Sequence, residues 1–205
     1  SRRPAYCFAL SDDFSMHALV AIKALLSNVH GSEIFLFSVS SLPTLEKYVD
    51  KLNVSPDDSI TLFQVNKAIF SGFPYFAHLG YETYLRLVMP EVLGKKYERL
   101  IYLDCDTVTV RDITFLENLC LGNAPFAART TPDSAANAAN KDRVGLRDEG
   151  YFNAGVMVID SRNWRMEKIF ERTAEVLRRE GRRLLCADQD ALNIVAAGKY
   201  AELPA

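Results

Sequence analysis

The stretch RLIYLDCDTVTV, residues 99–110, ends an apolar run on two aspartates, Asp104 and Asp106, with Cys105 between them. A buried strand edge gains nothing from paired carboxylates. If they converge they repel, and desolvation penalises their charged forms. A nearby cation relieves both costs, and exposure to water relieves the second. In an extended segment, residues i and i+2 project to one side, so the pair can aim its oxygens at one point while Cys105 turns into the core. Such a donor set suits a hard divalent cation, Mg²⁺ or Mn²⁺, held together with phosphate. On the pattern alone, a metal–diphosphate site and a solvated acidic turn both remain open.

Further residues bear on the choice. In GYFNAGVMVID, Asn153 precedes Ala154 and Gly155, small residues that let a ligand approach the backbone. In CADQDALN, Asp188, Gln189 and Asp190 stand at a predicted helix start. One of them could be a cap, but three consecutive polar residues after apolar LLCA exceed what capping needs. Arg86 sits in the otherwise apolar TYLRLVMPE, where it can snorkel, pair with a carboxylate, or offer its fork to phosphate. DCDTVT also resembles the first motif of haloacid-dehalogenase-type phosphatases. That motif normally opens the first strand of its domain, whereas about half of this chain precedes it; its second acidic pair could only be sought in RDEG, residues 147–150. A hydrolase built on paired carboxylates is a further alternative. The Asn53 glycosylation pattern and the histidines His17 and His30 carry no chemistry in this reading, while His78 stands where contact with a diphosphate is conceivable.

Elements that could position these residues alternate along the chain. AYCFAL, EIFLFSV, SITLFQV, RLIYL, PFAART and AGVMVIDS read as strands. Leu19, Ile22, Leu26 and Val29 recur with helical spacing, and Gly31 is a stop. LPTLEKYVDKL, DITFLENLCLG, WRMEKIFERTAEVLRREG and DQDALNIVAAG read as helices, as does YETYLRLVMPEVLG until Pro90 disturbs it. Residues 131–150 are polar and turn-rich, a long functional or mobile loop with a possible helical piece at its alanines. With no internal repeat or linker, residues 1–205 read as one α/β domain, in which ligands gather beyond the carboxyl ends of the strands.

An apolar fraction of 49% and a charged fraction of 24% are ordinary for a globular chain. The net charge of −2 gives no global attraction for nucleic acid. No apolar run reaches the roughly 20 residues that span a bilayer. SRRPAYCFAL reads as a first strand rather than a signal peptide. The four cysteines form no CxxC pair and read as reduced thiols of a cytoplasmic protein.

FALSDDF, TYLRLVMPEVL, RLIYLDCDTVTVRDI, GYFNAGVMVID with Trp164, and ADQDALN occur in an order that resembles the retaining glycosyltransferases of family 8, the group of lipopolysaccharide galactosyl- and glucosyltransferases and glycogenin. The resemblance implies a GT-A fold, with a Rossmann-like central mixed sheet and helices on both faces. It also implies a UDP-glucose or UDP-galactose donor, a saccharide or glycoconjugate acceptor, and Mn²⁺ or Mg²⁺. Residue by residue, Asp104 and Asp106 are similar to the metal aspartates, with Asp104 also near the donor ribose. Arg86 resembles the arginine reaching the donor sugar. Asn153 and Asp188 resemble the residues gripping its hydroxyls, and Gln189 the residue at the β face of the reacting carbon. Ala9 and Asp12 fall where uridine is received. Thr131 stands where an acidic sugar contact is common. The family's later segment, with a histidine ligand, a diphosphate lysine and any peripheral membrane contact, has no counterpart among these 205 residues. The expectation is therefore a donor-binding unit with weak or absent turnover.

Overall fold

The computed structural model describes residues 5–52, 54–132, 134–146 and 149–204. Asn53, and Arg147 and Asp148 of RDEG, lie outside the described residues.

Seven strands build one mixed sheet in the order β3-β2-β1-β4-β6-β5-β7. They are β1 Ala5–Ala9, β2 Glu33–Ser38, β3 Ser59–Gln64, β4 Arg99–Leu103, β5 Phe126–Thr130, β6 Phe152–Asp160 and β7 Ala201–Glu202. β3, β2, β1 and β4 are mutually parallel; β6 runs antiparallel to β4 and β5, and β7 is parallel to β5. The helices are α1 Ser15–Asn28, α2 Pro43–Tyr48, α3 Leu85–Leu93, α4 Ala135–Val144, α5 Ser161–Met166, α6 Ile169–Glu180 and α7 Ala187–Ala196.

The central strands are apolar at nearly every position because both faces are covered. Alternation divides them between two cores. Ala5, Cys7, Leu100 and Tyr102 pack on one face with residues of α3, α6 and α7. Tyr6, Phe8, Ile101 and Leu103 pack on the other with residues of α1 and α2. Each fully buried large side chain contributes on the order of 1.5–3 kcal/mol, and Trp164, Tyr6 and Phe8 are among them.

Three local expectations change. The helix does not break at Pro90 but continues to Leu93, held by the buried Leu85, Leu87, Val88, Met89 and Leu93. Tertiary packing there outweighs the missing N–H donor. DITFLENLCLG forms only a 3-10 turn, Thr114–Asn118. WRMEKIFERTAEVLRREG is two helices, parted at Lys168, whose φ of 53° is left-handed. The polar stretch 131–150 does carry a helix at its alanines, the ten-residue α4, capped by Ser134 and ended by Gly145 at φ 76°.

Candidate active site

A cleft of ≈ 160 Å³ opens at the carboxyl ends of β1 and β4. Ala9, Leu10, Ser11 and Phe14 line it from β1 and the loop beyond; His78, Leu79, Glu82, Thr83 and Arg86 line it from the chain entering α3; Tyr102, Asp104, Cys105 and Asp106 close it.

At its floor lies a cation that meets the first of the paired aspartates. Arg86 is 9% exposed. Its Nε is 2.8 Å from Asp188 Oδ2, and one terminal nitrogen is 3.2 Å from Asp104 Oδ1. The other donates to the carbonyl of Ala154. The guanidinium lies 4.6 Å over the Tyr102 ring, whose hydroxyl donates to Asp104 Oδ1 at 2.6 Å. The Thr83 hydroxyl donates to Asp188 Oδ1. Burial pushes the Asp188 carboxyl up, against the opposing pull of Arg86 and Thr83. Burial also works against the Arg86 charge, but Asp188, Tyr102 and Asp104 outweigh it and raise the guanidinium's pKa. Arg86 is therefore a permanent positive charge joining β4 to α7.

The two metal candidates are placed differently from each other. Asp104 follows β4 on the face of Tyr102, while Cys105 packs with Ile101 and Leu103 on the opposite face, as alternation requires. The extended geometry ends there. Thr107 N–H donates to Asp104 O at 3.1 Å, which folds residues 104–107 into a turn and leaves Asp106 exposed. Both aspartates still line one cleft, through a turn rather than a straight strand. Burial, then Asp104 and Asp106, push the Cys105 thiol up to about 11. It is thus protonated at neutral pH and is no nucleophile.

β6 supplies the next shell through an irregularity. Its pairing with β5 jumps from Met157 opposite Ala128 to Asn153 opposite Arg129, which withdraws residues 154–156 from that ladder and frees their backbone groups, the usual use of a bulge beside a site. Gly155 O accepts from Asp104 N at 2.7 Å, and Gly155 N donates to Asn153 Oδ1 at 2.8 Å. A Cβ on Gly155 would stand 2.6 Å from Asp104 Oδ2 and 2.9 Å from Asn153 Oδ1. Only glycine admits that approach. Ala154 O accepts from Arg86, while Ala154 N donates to Gln189 Oε1 at 3.0 Å. Asn153, Asp188 and Gln189 thus gather about one three-residue bulge.

Asp12 makes contacts of its own within the chain. Both its oxygens accept hydrogen bonds within the chain, from Ser15 Oγ at 3.0 Å, Thr44 N at 2.9 Å and Thr44 Oγ1 at 2.8 Å. Desolvation opposes its charge, but these bonds prevail and hold the carboxyl below its usual range. Asp12 ties the loop to α2, and the neighbouring Ala9 and Ser11 line the cleft instead. Thr131 donates its N–H to Tyr151 O. Phe14, Glu82, Thr83 and Tyr102 went unnoticed in the sequence; the spacing of Glu82 and Thr83 four and three residues before Arg86 was the available signal.

The donor chemistry fits a hard cation in part. Asp104 keeps Oδ2 beyond its bonds to Arg86 and Tyr102, and Asp106 is exposed. No cluster of three or more His, Cys, Asp or Glu suited to a metal occurs among the described residues. Two carboxylates fill about two of six positions around Mg²⁺, so a diphosphate and water must supply the rest.

A mixed sheet flanked by helices, with a cleft at the carboxyl ends of β1 and β4, is the arrangement of a GT-A-type α/β protein. The crystallised galactosyltransferase LgtC, in complex with donor and acceptor sugar analogs, superposes with a TM-score of 0.84 at 25% identity, over 97% of this chain and 72% of that one. Residues 6–205 match the model of glycosyl transferase family 8; the chain belongs to that family. It is 26% identical over 199 residues to general stress protein A of Bacillus subtilis, covering 94% of this chain and 68% of that protein. It is 33% identical over 132 residues to a putative glycosyltransferase of Haemophilus influenzae, covering 63% of this chain and 40% of the relative. Against the lipopolysaccharide 1,2-glucosyltransferase of Escherichia coli the identity is 28%, over 71% of this chain and 43% of the relative. The chain thus spans less than half of the latter two.

Proposed function

We propose that the protein is a retaining glycosyltransferase that moves glucose or galactose from a UDP-sugar to a saccharide or glycoconjugate acceptor, in the cytoplasm. The observation that carries this reading is the buried Arg86 clasped between Asp104 and Asp188, which joins the two halves of the cleft at one charge.

Asp104 and Asp106 would hold Mn²⁺ or Mg²⁺. Once bound, the cation neutralises negative charge on the departing diphosphate, a stabilisation that grows toward the transition state. The chain's own residues do the remaining work. Arg86 places a fixed positive charge beside Asp104. Asn153, exposed and using Oδ1 for Gly155, has its Nδ2 left to donate to a sugar hydroxyl. Asp188, each of whose oxygens already faces one donor, would accept from a second hydroxyl through its remaining lone pairs. Gln189 would set a carbonyl dipole near the oxocarbenium-like carbon. Ala9, Ser11 and Phe14 would flank the nucleoside.

A second reading is favoured by the two-carboxylate site: a nucleotide-sugar-binding protein with little or no turnover. One experiment separates the two. Release of hexose from UDP-glucose and UDP-galactose is followed with saturating Mn²⁺, beside phosphate release from a generic phosphomonoester. Hexose release from one donor, with the phosphomonoester intact, is expected. UDP binding without hexose release would leave the binding reading, and phosphate release from the monoester would overturn both.

A further inference from the structure

Beyond the cleft lies a buried polar chain. Asp190 is fully buried, yet four donors converge on it. Arg143 NH2 lies 2.8 Å from Oδ1 and 3.0 Å from Oδ2, with its Nε 3.2 Å from Oδ2. Cys186 N donates to Oδ2 at 2.9 Å, and the Tyr151 hydroxyl donates to Oδ1 at 2.6 Å. A carboxylate with a bidentate guanidinium is ionised and can only accept. The single proton of Tyr151 is therefore committed to Asp190, and its oxygen can only accept from its other neighbour, Gln189 Nε2, at 3.0 Å. That leaves Gln189 Oε1 facing Ala154 N–H. Reversed, the amide would set its NH2 against an N–H and its oxygen against a hydroxyl with no proton to give. Such a mismatch leaves two partly buried donors unpaired.

We infer that Arg143, Asp190 and Tyr151 are positioning residues that lock the Gln189 amide one way round, so that α4, through Arg143, sets the polarity of the group proposed to face the reacting carbon. The functional half of this rests on the glycosyltransferase reading; the positioning half does not.

Tyr151→Phe keeps the buried ring and removes the hydroxyl. In ¹⁵N spectra, the Gln189 side-chain NH2 pair, identified by its loss in Gln189→Ala, should exchange with solvent about tenfold faster in Tyr151→Phe, the scale of one lost hydrogen bond. Asp190→Asn should behave alike, whereas Arg143→Lys, which retains the charge, should recover part of the protection. Unchanged exchange in Tyr151→Phe overturns the inference whether or not the protein turns over. In the hydrolysis assay, Tyr151→Phe should lower kcat about tenfold with UDP affinity within about twofold, and should lower it no further in a Gln189→Ala background. An equal loss in that background means that Tyr151 does not act through Gln189. Accelerated exchange together with absent metal-dependent UDP binding would uphold the lock and sink the glycosyltransferase reading instead.

Discussion

Asp104–Cys105–Asp106 and Asp188–Gln189–Asp190 share one pattern, aspartate, any residue, aspartate, in opposite surroundings. The first follows a parallel strand, turns at Cys105, and leaves Asp106 in water. The second opens α7 on the other side of the cleft, with Asp188 2% and Asp190 0% exposed. There each carboxylate meets its own arginine, Asp188 meeting Arg86 and Asp190 meeting Arg143. The open pair has coordination capacity to spare for a ligand. In the closed pair most of that capacity holds elements together, and only lone pairs of Asp188 are left over. The two pairs are therefore told apart by burial, since the spacing of the aspartates is the same and Arg86 touches both Asp104 and Asp188.

The arginines offer the strongest way to break the comparison. Arg86→Met strands Asp188 without its charge partner and should cost roughly 3–5 kcal/mol in denaturant unfolding. Adding Asp188→Leu should return most of that loss. Arg143→Met leaves Asp190 with Tyr151 and Cys186 N–H, so a smaller loss of about 1–3 kcal/mol is expected. A loss for Arg86→Met below that for Arg143→Met would reverse the assigned order.

Gly155→Ala should spare most of the stability, since its Cβ meets movable side-chain oxygens of Asp104 and Asn153. It should nevertheless weaken metal-dependent UDP binding about tenfold by displacing Asp104. Calorimetry on the folded variant measures this directly, and unchanged affinity would detach Gly155 from the site.

The smallest effect sharpens the burial argument on a third carboxylate. Burial raises the Glu82 carboxyl above its ordinary 4.5, with backbone hydrogen bonds opposing and Asp13 assisting. The folded state then holds a proton that the unfolded state has released. Stability from this group is present below pH 4.5 and declines as pH rises through the raised value. Relative to Glu82→Gln, the wild type should lose stability across that window in thermal melts; a gain would contradict the sign.

Much of this could be read from the chain. The strand and helix order and the joint placement of Arg86, Asp104, Asn153, Asp188 and Gln189 followed from local apolar patterning and ordered motifs. The polar network did not, because it joins residues between 143 and 154 to residues between 186 and 190. Arg143, Tyr151 and Asp190 meet only after α4 docks against α7, and α4's polar sequence does not show which neighbour it docks on. The tie of Asp12 to α2 was hidden for the same reason: its partner Thr44 lies 32 residues away. The helix through Pro90 and the break at Lys168 are likewise settled by packing rather than propensity.

The contrast between an open and a closed aspartate pair is tested most directly by titrating UDP into wild type and Asp106→Asn, each with and without Mn²⁺, by calorimetry. Because Asp106 is exposed, the variant should melt as the wild type does. The wild type should bind UDP only with metal, at roughly micromolar to millimolar affinity, and Asp106→Asn should lose that binding. Metal-independent binding in the wild type, or undiminished binding in Asp106→Asn, would contradict the account.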